Sequence, residues 1–354
     1  VTTDDPRLKT RITELFGVRY PIVQTGMGWV ANAHLTAATS NAGGLGIIAA
    51  APMTFPQMQQ AIAQVQAATD KPFGVNLRTD AVDIDARVDY VIKVKVKVAS
   101  FAQAPGEAVV KKLKDAGVVV MPTIGARRHA EKVAAWGVDA VIAQGAEGGG
   151  HTGVIPTSIL IPQVLDAVDI PVLVAGGVYD GRGLAAALAY GADGIAMGTR
   201  FLLSSDSAVP AHVKQIYLDT PLTGTVVTKA IDGAPQRVIR TKLIDELEKA
   251  KLLAFPKALN NALKFRKLTS TSYRDLLKEG LAMKKSQDLS WAQLALAANA
   301  PMLTKATMVD GHPEVGILPT GQGVGAIDSL PSCQEIIDLC VRQAIERLDH
   351  LCGK

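Results

Sequence analysis

From residue 20 to about residue 205 the chain alternates between two hydrophobic rhythms. Short runs of β-branched and apolar residues fall at 21–25, 46–49, 73–77, 96–100, 118–122, 140–144, 172–175 and 194–197. Between most of them, apolar residues recur at helical spacing, at 33–41, 56–68, 104–115, 127–136, 158–168 and 183–190. A strand-then-helix repeat joined by short turns predicts parallel strands, because parallel neighbours need a crossover, usually a helix. The eight runs predict closure into an α/β fold, a (β/α)8 TIM barrel, rather than an open doubly wound sheet. Segment 7–16 reads as a short helix that plugs the barrel bottom.

Beyond residue 220 the rhythm changes. Residues 223–228 read as a strand or extended loop, and 242–251, 256–264, 272–284 and 290–298 as helices. A Gly/Pro-rich loop at 311–325 and an amphipathic helix at 333–351 follow. The predicted organisation is a barrel over 1–220, a mainly helical cap and substrate region over 221–330, and a C-terminal helix within 331–354 that packs back on the barrel. No repeat of solenoid period is present.

Composition narrows the function classes. Of the 354 residues, 48% are hydrophobic and 20% charged, a globular balance. The net charge of +4 is modest, and the densest basic stretch, Lys93, Lys95 and Lys97, alternates with valines. That reads as a solvated strand end, not as the clustered footprint of a nucleic-acid binder. Cys333, Cys340 and Cys352 show no metal-ligand spacing, so neither a metal site nor a disulfide framework is expected. No apolar run has the length of a membrane span and the first residues lack a signal pattern, so a cytoplasmic protein is expected.

The candidate chemistry sits where such barrels carry their sites, in the turns after the strands. Ala175-Gly176-Gly177 follows the seventh predicted strand, and Ala196-Met197-Gly198-Thr199-Arg200 ends the eighth. Glycines there let main-chain N–H groups approach a phosphate with no Cβ in the way. After the sixth strand, Gln144 opens a loop with Gly148, Gly149, Gly150 and His151. A histidine behind three glycines at this face suits a general base or a hydrogen-bond donor better than a packing role. Gly26 and the polarisable Met27 follow the first strand, and Asn76 is a polar residue near the end of an apolar third strand. Its amide could donate to and accept from a flat heterocycle.

Stretches 21–30, 73–77, 144–151 and 175–201, in that order, resemble the nitronate monooxygenase (2-nitropropane dioxygenase) family, the last (AGGVYDGRGLAAALAYGADGIAMGTRF) most specifically. The resemblance implies a non-covalent FMN held by Met27, Asn76, Gln144, Gly149, Gly177 and Ala196 to Thr199, with His151 as the active-site histidine; Gly26 and Gly176 join them as cofactor-binding candidates from the turns themselves. Some members carry a lysine at the end of strand five where this chain has Thr123, so redox tuning need not match theirs. Trp291 to Pro331, with Ala297, Asn299, Pro301, Gly321 and Gln322, is similar to a subgroup in bacterial steroid-ring breakdown. For that subgroup the implied reaction is dehydrogenation of a hydroxylated indane-carboxyl-coenzyme A ring.

The leading expectation is therefore an FMN-dependent oxidoreductase acting on a small molecule, foremost oxidation of alkyl nitronates with O2. An NAD(P)H-dependent quinone reductase and the coenzyme A-thioester dehydrogenase are the alternatives, and a flavin-free phosphate-binding synthase is the rival from another class. The loop after strand six holds no cysteine, which argues against a thioimidate mechanism. No nucleic-acid or membrane partner is expected, and a homodimer is left open. For a bulky thioester the cap should supply cations, and Lys264, Arg266 and Lys267 beside Phe265 are the candidates, although such a run also suits a solvated helix face.

Overall fold

In the computed structural model, which describes residues 4–249 and 291–353, eight parallel strands close into a barrel. They are β1 (Ile22–Gln24), β2 (Leu45–Ala49), β3 (Phe73–Leu77), β4 (Val98–Phe101), β5 (Val119–Ile124), β6 (Val141–Gln144), β8 (Val172–Ala175) and β9 (Gly194–Met197). Val23 pairs with Leu45 on one side and Ala196 on the other, which closes the ring. The expected (β/α)8 barrel is thus present, each strand within a few residues of its predicted place. Helices α1 (Arg11–Phe16), α2 (Ala33–Asn41), α3 (Phe55–Ala68), α4 (Ile84–Lys93), α5 (Glu107–Asp115), α6 (Arg127–Ala135), α7 (Thr157–Leu165) and α8 (Gly181–Tyr190) accompany them.

Strand alternation sends one side chain into the lumen and the next towards the helices. Val23, Leu45, Ile47, Val98, Met121, Ile142 and Leu173 form one buried cluster with Ile12 and Phe16 of α1. Helix α1 is therefore the bottom plug, and each such side chain contributes about 1.5–3 kcal/mol by leaving water. Towards the other end the inward positions become small or polar. Asn76 pairs with Ser100, Gln144 with Ala175, and Ala175 with Ala196. The lumen is thus packed below and lined with short or hydrogen-bonding side chains at the mouth.

Helix α4 has no counterpart among the predicted elements, and the three lysines divide differently from a strand end. Lys93 closes α4, Lys95 takes a left-handed φ of 57°, and Lys97 precedes β4. The apolar rhythm of α4 is interrupted by Arg87, which is buried. Its guanidinium donates to Asp83 Oδ1 at 2.7 Å and to the carbonyls of Ala50 and Met53 at 3.1 and 2.6 Å.

After the barrel come α9 (Thr199–Leu202), α10 (Ala211–Leu218), β10 (Thr225–Thr228), β11 (Gln236–Ile239), α11 (Lys242–Lys249), α12 (Trp291–Met308) and α13 (Cys333–Leu351). β10 and β11 pair antiparallel, and β11 adds the two-residue strand β7 (Gly150–His151) from the barrel loop. Helix α12 continues past the predicted 290–298 and through Pro301. The helices expected at 256–264 and 272–284, with Lys264, Arg266 and Lys267, lie outside the described residues.

Helix α13 starts at a capping box, Ser332 with Glu335, and packs along α8 and α2. A Cβ on Gly181 would stand 2.1 Å from the Cys340 carbonyl oxygen, so a glycine lets α8 and α13 touch. Arg7 reaches Asp349 of α13 at 2.7 Å. Burial pushes the Cys333 and Cys340 thiols up to about 12, which leaves them unreactive, while Cys352 is exposed. Among the described residues no helix is long and apolar enough to cross a membrane.

Candidate active site

The residues singled out by sequence converge on the barrel mouth. A Cβ on Gly26 would lie 2.5 Å from Asn76 Cβ, so the turn after β1 rests directly on the end of β3. A Cβ on Gly198 would lie 3.3 Å from Thr25 Oγ1 and 3.5 Å from Met27 Sδ, which brings the turn after β9 against the same segment. Gly176 and Gly177 both take left-handed φ, 94° and 75°, a conformation that disfavours a side chain. There the backbone after β8 approaches the loop after β6: a Cβ on Gly176 would stand 3.0 Å from Gly145 O and 3.1 Å from Gly148 N. Trp29, two residues past Met27, holds a left-handed φ of 65°, and its indole N–H is buried without a partner among the described residues.

Ala196 and Met197 diverge. Ala196 belongs to the lumen cluster, whereas Met197 packs in the layer between strands and helices. The period of two along β9 separates their side chains, so Met197 can offer the mouth only its main chain, whose carbonyl accepts from Thr25 N at 3.1 Å.

The loop after β6 is held at several points. Gln144 Nε2 donates to the His151 carbonyl at 2.8 Å. Glu147 turns back to the start of α7, accepting from Thr157 N at 3.0 Å and Thr157 Oγ1 at 2.7 Å. A carboxylate there complements the unpaired N–H groups of a helix start. From the far side, Arg237 Nη2 donates to the Ala146 carbonyl at 3.0 Å and Nη1 to Thr225 Oγ1 at 2.9 Å.

His151 itself is exposed, but its Nε2 stands 2.8 Å from Oδ2 of Asp232, a carboxylate whose side chain is only 10% accessible. Burial pushes the Asp232 carboxyl up. The hydrogen bond and charge of His151, the Ala234 N–H and Gln236 outweigh that and hold it below its ordinary range. Asp232 and Gln236 were not among the sequence candidates. The available signal was the Asp232-Gly233 pair between two β-prone runs, a common hairpin turn.

A return segment, Thr320 to Gln322, latches onto this loop. Gly321 N donates to Thr199 Oγ1 at 2.9 Å, and Gln322 N donates to the Glu147 carbonyl at 2.9 Å. The Thr199 hydroxyl, a sequence candidate for cofactor contact, is therefore engaged by the latch. Gly149 belongs here too: a Cβ would lie 2.4 Å from Thr320 C and 2.5 Å from Gly321 N.

Comparison with known proteins fits this arrangement. The sequence pattern described as nitronate monooxygenase matches residues 9–85 and 78–342. The chain is 56% identical over 346 residues to the (3aS,4S,5R,7aS)-5-hydroxy-7a-methyl-1-oxo-octahydro-1H-indene-4-carboxyl-CoA dehydrogenase of Mycobacterium tuberculosis, covering 97% of this chain and 98% of that one. It is 33% identical over 285 residues to a probable nitronate monooxygenase of Staphylococcus aureus, covering 68% of this chain and 80% of that one. Among solved structures, FabK from Thermotoga maritima superposes with a TM-score of 0.82 at 34% identity, over 98% of this chain and 99% of that one.

Proposed function

The chain belongs to the nitronate monooxygenase family, and on that premise we propose that it is an FMN-dependent dehydrogenase of a hydroxylated, indane-type carboxyl-coenzyme A ring. The observation that carries the choice is the extent of similarity. The indane-carboxyl-CoA dehydrogenase matches across the barrel and the segments after it, whereas the probable nitronate monooxygenase matches 68% of the chain. The segments after the barrel contribute Asp232, Gln236 and the Thr320–Gln322 latch to the site, so similarity there bears on substrate.

The residues present suit a flat heterocycle carrying one phosphate. Gly26, Met27, Asn76, Gln144 and Ala196 would face the heterocycle, and a Cβ on Gly26 or Gly198 would press on Asn76 or on Thr25 and Met27. Main-chain groups at Gly176, Gly177, Gly198 and Thr199 would hold the phosphate, with Gly149 closing the loop beside it. The sequence carries no second nucleotide-binding fingerprint, which favours FMN over FAD. Bound flavin supplies the acceptor for the hydride equivalent of the carbinol carbon. The chain's own part would be to orient the ring alcohol and take its hydroxyl proton, with His151 as the proposed base.

Heat-denatured protein is expected to release FMN. Anaerobic mixing with the hydroxy-indane carboxyl-CoA thioester should bleach the flavin faster than a propyl nitronate, NADH or NADPH. Bleaching by the nitronate alone would return the chain to nitronate oxidation, and bleaching by NAD(P)H alone would make it a reductase. A colourless protein that cannot be reconstituted with FMN would favour a flavin-free phosphate-binding enzyme.

A further inference from the structure

We infer that Asp232, presented by the hairpin after the barrel, is the positioning residue that fixes the tautomer of His151 and balances its charge when it takes a proton. The inference rests on the reading of His151 as the base and adds what makes that base competent.

The two carboxylate oxygens of Asp232 have separate partners. Oδ1 accepts from Ala234 N at 3.1 Å, the short-range bond expected of an aspartate that starts a turn. Oδ2 takes no part in the turn. It accepts from His151 at 2.8 Å and from Gln236 Nε2. A turn alone would need only Oδ1, and an asparagine would serve it equally well.

Gln236 Nε2 also lies 3.1 Å from His151 Nε2. One imidazole nitrogen cannot both donate to Asp232 and accept from Gln236. An ionised carboxylate only accepts, so it decides the matter: Nε2 carries the proton, the Gln236 amide donates to Asp232, and Nδ1 keeps the lone pair. In the proposed reaction Nδ1 would take the substrate hydroxyl proton as the carbinol carbon becomes a ketone, with bound FMN supplying the acceptor for the hydride equivalent. The imidazolium so formed is paired with the buried anion.

The neighbouring charged groups are committed elsewhere. Glu147 is bonded to Thr157, and Arg237, in the next position of β11, turns to Ala146 and Thr225. Asp232 is the carboxylate in ion-pair contact with His151 among the described residues.

Asp232→Asn tests this cleanly, because Asn retains the Oδ1 turn bond and removes the charge. With FMN content and melting temperature unchanged, kcat for the thioester should fall by about 10- to 100-fold, the size of effect seen when the carboxylate that orients a metal-bound histidine is lost. A wild-type kcat would overturn the inference.

Nitrogen-15 NMR of the resting wild-type holoenzyme provides a readout that needs no turnover, with His151 assigned by its absence in His151→Ala. A proton on Nε2 in the wild type, and loss of that preference in Asp232→Asn, support the dyad. A proton on Nδ1, or a tautomer unchanged in Asp232→Asn, overturns it. If the thioester is not oxidised at all, the functional proposal fails while the NMR result still decides the dyad.

Discussion

His151→Ala is expected to lower turnover of the best substrate by about 10²-fold or more, the range for removing a general base. Fold and flavin content should survive. The His151 side chain is 63% accessible, and its place in the small sheet is secured by main-chain pairing with Gln236 and by the Gln144 bond to its carbonyl. The loss should therefore appear in the rate of anaerobic flavin reduction under single-turnover conditions, with substrate affinity little changed. A wild-type reduction rate would make His151 structural, and release of the flavin would make it a binding residue.

A comparably large effect is expected from Gly149→Ala, through an unrelated cause. The new Cβ would meet the backbone of Thr320 and Gly321 at 2.4–2.5 Å, and backbone on both sides cannot rotate out of the way. Overpacking of this kind costs about 1–3 kcal/mol. Relief comes most easily by lifting the return segment, which is held by the Gly321–Thr199 and Gln322–Glu147 bonds. FMN should then dissociate about 5- to 150-fold more readily, the factor equivalent to that cost. Fluorescence of released FMN measures it, and limited proteolysis near residue 320 should quicken in parallel. Gly28→Ala is the control, because an added Cβ there meets nothing within 4 Å. Equal flavin retention in the two variants would show that the latch does not hold the cofactor.

The barrel was legible because its strands are short apolar runs rich in valine and isoleucine, several of them next to glycine or proline, signals that lie within a few residues of one another. Helix α4 was not, since Arg87 occupies a buried position through carbonyls supplied by a different βα unit. The mouth glycines were legible for the same local reason as the strands. Met197 shows the limit of a contiguous motif: it stands between Ala196 and Gly198 in sequence, yet alternation turns its side chain away from them. Asp232 was hidden by distance. It meets His151 across 81 positions of chain, and nothing near either residue announces the pairing. Thr199 was legible as a site residue, but its bond to Gly321 depends on a segment from the far end of the chain.

The three-stranded sheet also makes the His151–Asp232 pair depend on a very short seam. Strands β10 and β11 pack with α11 and α12 around Ile231, Val238, Ile244, Ala300 and Ile317. Their third strand is only Gly150 and His151, borrowed from the barrel loop. Two residue pairs, Gln236 with His151 and Arg237 with Gly150, therefore set where the hairpin's carboxylate stands against the imidazole. A closed barrel without that seam would lack the pair.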